Sequence, residues 1–112
     1  GLTVADGKAI VYKAVSPELV AGQGRIPTTY TVGETVTAND WRSDANCGHG
    51  LHFGATPRRA LNYYQGNEDR SKVRFLACEI GVAAAVPLDD KIKAKSCRVL
   101  HEVTIDGDEV SS

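Results

Sequence analysis

The densest run of chemistry-bearing side chains is Cys47-Gly48-His49-Gly50-Leu51-His52. A thiolate and two imidazoles at this spacing are zinc-type ligands, but a tetrahedral site needs about four. Cys97 and His101 are the remaining candidates, and they join only if folding carries them there. The competing reading is a glycine turn at positive φ, followed by a polar histidine on a short strand. We adopt the second reading and expect no metal.

Just beyond lies Ala55-Thr56-Pro57-Arg58-Arg59-Ala60-Leu61-Asn62-Tyr63-Tyr64. A helix N-terminus beside small residues can accept an anion, and Arg58 and Arg59 sit in its first turn. On residue type alone those two arginines face solvent. Tyr63 and Tyr64 at the far end can cap a core with their rings. Other chemistries lack their residues. No paired carboxylates have metal-ligand spacing, no serine sits in a nucleophile elbow, and Gly22-Gln23-Gly24 is too short for a phosphate loop.

The three cysteines, at 47, 78 and 97, are too sparse for a disulfide framework, which makes a reducing cytoplasm the default setting. Cys78, within Phe75-Leu76-Ala77-Cys78, reads as a small buried hydrophobe. Cys47 has no nearby base to activate it and reads as filler.

These residues need elements to position them. Residues 8–15 (KAIVYKAV) are β-prone and stop at Ser16-Pro17. Residues 16–27 read as loop with one helical turn, and 28–32 with 34–36 after Gly33 together as a short strand and a turn. Thr56 as N-cap, Pro57 at the first helical position, the 60, 61, 64 spacing and Gly66-Asn67 predict a short helix over 56–65. Residues 72–82 (KVRFLACEIGV) are apolar on both alternating sets, as in a central strand buried on both faces. Pro87 should break the segment after it, and the charge-rich 89–95 should be solvated. Residues 97–105 (CRVLHEVTI) predict a last strand ending at Asp106-Gly107, with a frayed acidic tail. The sum is a small α+β domain of mixed or antiparallel sheets with one firm helix.

Composition bounds the rest. At 112 residues, with a core over about 8–106, the chain is a single domain. Thirteen basic and 14 acidic side chains argue against nucleic-acid binding by bulk charge. No apolar run approaches the roughly 20 residues that span a bilayer, and no secretory signal opens the chain. No methionine occurs anywhere, and the expectation is a processed end or a domain of a longer protein.

The 48–64 run also resembles the signature of the poly(ADP-ribose) polymerase branch of ADP-ribosyltransferases. That family has a Gly-x-Gly-Ile-Tyr-Phe strand and then a helix ending in Ser-x-Asn-Tyr. Gly48-His49-Gly50-Leu51-His52-Phe53 matches the strand, and Ala60-Leu61-Asn62-Tyr63 falls at the helix position. His52 thus takes the place of the first tyrosine, Ala60 that of the serine and Tyr63 that of the second tyrosine. His101-Glu102-Val103-Thr104-Ile105 is similar to the strand that carries the family's catalytic glutamate.

The resemblance implies an ADP-ribosyltransferase-like fold with NAD as cofactor. It makes Glu102 the catalytic residue and has Tyr63 and His52 flank nicotinamide. Lys13, in Ile10-Val11-Tyr12-Lys13-Ala14, stands where the family has a histidine for the adenosine ribose, and as a point charge it favours phosphate. Arg25 is the second phosphate candidate. Because Lys13, His52 and Ala60 depart from the pattern, the activity expected is binding of NAD or an ADP-ribose derivative rather than turnover. If the fold holds, Tyr63 and Glu102 should face one cleft with Lys13 at its floor.

From Val11 to Val103 the chain also resembles an uncharacterised domain of bacteriophage and bacterial proteins. That resemblance includes Tyr30, Lys93 and Glu102 and implies an intracellular, host-cytoplasmic setting. The partner would be a nucleotide-type small molecule or a host protein. The alternative to ligand binding is a non-catalytic interaction module of a larger phage protein.

Overall fold

Two apolar stretches of eight residues set the middle of the molecule, and the shorter elements assemble on them. The computed structural model describes residues 4–21, 27–38, 50–64, 66, 69–87 and 91–110. In chain order the first strands are β1 (Val4–Ala5), β2 (Lys8–Val15), β3 (Val20–Ala21), β4 (Thr28–Thr29) and β5 (Thr35–Thr37). Then come β6 (Leu51–Phe53), helix α1 (Pro57–Leu61), β7 (Arg74–Gly81), β8 (Val86–Pro87), β9 (Ile92–Ala94) and β10 (Ser96–Val103). The fold is α+β.

The main sheet has the order β1-β2-β7-β10-β5, a second sheet β6-β9-β8, and β3 pairs with β4, all antiparallel. As its composition predicts, β7 is central and buried on both faces. Leu76, Cys78 and Ile80 face a larger core with Val11, Val15, Val99, Leu51 and Phe53. Phe75 and Ala77 face a smaller one with Ala14, Ala60, Val73 and Val103. Ladder hydrogen bonds connect the two sheets: Tyr12 and Gly54 exchange N–H···O bonds of 2.9 Å in each direction. The small sheet therefore hangs from the edge of β2.

Helix α1 starts as predicted, with the Thr56 hydroxyl accepting from the Arg59 N–H at 3.2 Å and Pro57 following. It ends at Leu61 rather than near 65. The next amides bond three residues back, Asn62 to Arg59, Tyr63 to Ala60 and Tyr64 to Leu61, so the chain tightens and leaves the helix. Replacing Thr56 by alanine is expected to cost about 1 kcal/mol in denaturant unfolding. An unchanged midpoint would mean that Pro57 and packing alone set this helix start.

Other expectations are corrected. The predicted solvated segment 89–95 contains β9, the middle strand of the small sheet, with Ile92, Lys93 and Ala94 all buried. Ile92 and Ala94 face the larger core, and Lys93 between them is buried over its whole side chain, ammonium included. Pro87 is the last residue of the edge strand β8, where a missing N–H is tolerated. The tail does not fray at Asp106-Gly107: it folds back, with Thr104 N–H to Asp108 O and Val110 N–H to Glu102 O, each 2.8 Å.

No helical turn forms in the described part of 16–27. Instead β3 pairs with β4, and the Ser16 hydroxyl accepts from Val20 N–H at 3.1 Å. The strand expected over 28–32 is only Thr28–Thr29.

Candidate functional site

Lys13 is the polar intrusion into an apolar face. The pairing of Lys13 with Leu76 puts its side chain on the larger-core side of β2, among residues that are otherwise Ala9, Val11 and Val15. Its ammonium donates to the His52 carbonyl at 2.7 Å. It lies 5.4 Å from the centroid of the Tyr30 ring and 5.6 Å from that of Phe53, within cation–π range of both. The small sheet delivers two of these partners, His52 and Phe53, and Tyr30 comes from the segment after β4.

The electrostatics follow from this enclosure. Burial pushes the Lys13 amine down from 10.5 to about 8, with the Cys78 and Cys97 sulfurs acting against the shift and the Lys91 charge adding to it. Burial also holds the Tyr30 phenol well above its ordinary range. The neighbouring Cys97 thiol and burial push the Cys78 thiol up, the Cys78 thiol pulls Cys97 down, and Cys78 Sγ donates to the Leu76 carbonyl at 3.9 Å. Cys78 is buried, as its apolar neighbours predict.

Glu102 sits one row across. Leu76 pairs with Lys13 on one side and Glu102 on the other, so Lys13, Leu76 and Glu102 form one line across β2, β7 and β10. A register shift between Val99 and His101 makes this possible, turning Glu102 toward the larger-core face while His101 pairs with Ala77 on the other. The carboxylate is engaged. Arg74 clasps it through Nε at 3.0 Å and Nη2 at 2.6 Å, and Arg74 Nη1 donates to Pro17 O at 3.0 Å.

The hydrogen bonds from Arg74 hold the Glu102 carboxyl below its usual range. The linked stability is present above the unfolded carboxyl value and is lost as pH falls through the folded one. Arg74 is partly exposed, so solvent screening reduces the effect. Glu102→Gln should cost about 1 kcal/mol at neutral pH and less in acid, read by urea unfolding at two pH values. Equal costs at both would show that the pair's charge contributes nothing.

Of the other sequence candidates, Tyr63 leaves α1 half-buried, with the Lys91 ammonium 5.0 Å from its ring centroid. Helix α1 itself packs with the smaller core through Ala60 and Leu61. The structure thus joins Lys13 directly to His52, aligns Glu102 with Lys13, and sets Tyr63 against Lys91. Arg25, Cys47 and His49 lie outside the described residues. Cys97 and His101 project to opposite faces of β10, which separates the two supplementary ligands weighed for a metal. Arg58 is exposed, as its type predicts, and pairs with Asp106 at 2.7 Å.

Sequence reasoning gave no site role to Phe53, Arg74 or Lys91, and weighed Cys97 only as a metal ligand. Only Arg74 carried a signal: an arginine opening a strand buried on both faces needs a partner.

The fold and site together define a small α+β domain with a lysine enclosed where its five-stranded and three-stranded sheets meet. The chain belongs to the family described as a domain of unknown function, DUF7666, whose model matches residues 9–109. No curated protein and no solved structure is significantly similar to it. Among the described residues, no helix is long and apolar enough to cross a membrane.

Proposed function

We propose that this domain binds NAD or an ADP-ribose derivative at the Lys13 site and turns it over slowly or not at all. The observation that carries the reading is a lysine ammonium between two aromatic rings, with a second cation, Lys91, acting on it and lying against a third ring. Two cations suit a pyrophosphate, and ring faces suit a nicotinamide or adenine. The degenerate signature over 48–64 and Glu102 in line with Lys13 point the same way.

The clasp of Arg74 on Glu102 supports binding over catalysis. A carboxylate held at both oxygens must break that pair before it can take ribose hydroxyls or steady an oxocarbenium-like state. The same clasp favours the second reading, a non-catalytic interaction module of a larger phage or bacterial protein working in the host cytoplasm.

A thermal-shift titration with NAD, ADP-ribose and nicotinamide separates the two. A ligand at about 100 times its Kd adds roughly 2.7 kcal/mol to the stability of the wild-type chain. The gain should vanish in Lys13→Met and survive in Glu102→Gln. No shift with any of the three ligands would overturn the binding reading and leave the interaction module.

A further inference from the structure

We infer that Lys13 is a carbonyl-reactive lysine whose surroundings suit an anionic aldehyde, such as an open-chain sugar phosphate, held as a reversible imine. The inference does not depend on the dinucleotide reading, because NAD offers no free aldehyde.

Three observations carry it. The first is placement: the amine is enclosed by Tyr30 and Phe53, while Lys13 keeps part of its surface accessible. The second is orientation, since among the described residues the amine's hydrogen bond to the His52 carbonyl engages one N–H and leaves the nitrogen's remaining valences for a ligand. The third is charge. The groups facing the amine are the thiols of Cys78 on β7 and Cys97 on β10, the Tyr30 phenol, and Lys91 just before β9. Among the described residues no carboxylate pairs with it.

A desolvated lysine beside another cation releases its proton easily, which is the arrangement that activates amine nucleophiles. At the value of about 8 that burial produces, about one amine in ten is free at neutral pH, against about one in several thousand for an exposed lysine. Lys91 would then anchor the ligand's anionic group.

The chemistry balances without an oxidant. The amine lone pair adds to the carbonyl carbon, a proton passes from nitrogen to the new alkoxide, and loss of water leaves the C=N bond. Hydrolysis reverses it.

The test treats the whole chain with a limiting amount of pyridoxal 5′-phosphate, an anionic aromatic aldehyde, and reduces the imine with borohydride. Peptide mass spectrometry then locates the secondary amine. Lys13 should carry at least about tenfold more label than the exposed Lys8, Lys72 or Lys95, with a labelling midpoint near pH 8. Lys91→Ala should reduce it about tenfold. Label spread over exposed lysines with Lys13 bare would overturn the inference. That map uses the wild-type chain, so no variant has to fold. A bare Lys13 together with an NAD-induced thermal shift would remove the imine and leave the binding reading standing.

Discussion

Relative to Lys13→Met, the wild-type chain should gain up to about 3 kcal/mol of stability as pH rises from 7 to beyond 10. The sign follows from the direction of the shift. An ordinary lysine holds its proton to about 10.5, whereas Lys13 in the folded chain releases it near 8. Below 8 both states carry the proton, and the folded state bears the full cost of burying it. Between the two values the unfolded chain still binds a proton that the folded chain has lost, so stability climbs with pH. Above the unfolded value the climb ends.

Two neighbours work in the opposite direction. The Tyr30 phenol and the Cys78 thiol are both held above their ordinary values, so the folded chain keeps their protons longer and its stability falls as the unfolded groups ionise. The wild-type profile alone would mix these effects. The difference from Lys13→Met isolates the amine, because the phenol and thiols are common to both chains. Methionine also keeps an unbranched apolar stem between Tyr30 and Phe53, although it leaves the His52 carbonyl without its donor. The offset at neutral pH therefore reflects opposing effects, and the slope is the diagnostic quantity. Urea unfolding at four pH values measures it. Parallel profiles would mean that the Lys13 amine stays hydrated, and the carbonyl-reactive site would lose its footing as well.

How far the sequence revealed this arrangement depended on whether the governing signal was local. The long strands are written in β-prone, largely apolar stretches, and β2 spans residues 8–15 as their composition predicts. Thr56-Pro57 marked the helix start because capping involves only neighbours. The β1–β2 hairpin was also legible in principle: Asp6-Gly7 at φ 53° and 74° is the left-handed pair a two-residue hairpin favours. By contrast, β9 was hidden because charge in Lys91, Lys93 and Lys95 masked a strand that only tertiary pairing with β6 and β8 buries.

The site shows the same division. Resemblance singled out Lys13 and Glu102, but not that Lys13 would lie between Tyr30 and Phe53, since those contacts need β6 to fold over β2. Nor could spacing foresee the Arg74 clasp, which depends on a register shift in β10.

Gly54→Ala should be the most damaging single methyl in the described chain, costing about 3 kcal/mol and lowering Tm by 10 °C or more. A Cβ at Gly54 would stand 2.4 Å from the Ala60 nitrogen, 2.9 Å from its Cα and 3.0 Å from the Arg59 carbonyl carbon. All three are backbone atoms, so no side chain can rotate aside. Either α1 lifts from β2, uncovering Ala60 and Ala14, or the paired 2.9 Å bonds between Gly54 and Tyr12 break. Those bonds tie the small sheet to the large one, and the small sheet carries the His52 carbonyl and the Phe53 ring onto Lys13.

The damage should therefore reach the site. With β6 loosened, water reaches the Lys13 amine, its proton affinity moves back toward 10.5, and the alkaline gain in stability shrinks. Gly81→Ala is the control, because nothing lies within 4 Å of its added carbon and its φ of −80° suits any residue. It should stay within about 0.5 kcal/mol of wild type. Equal melting of the two variants would show that α1 gives way freely at Gly54, and the enclosure of Lys13 would then have to be held by something other than this junction.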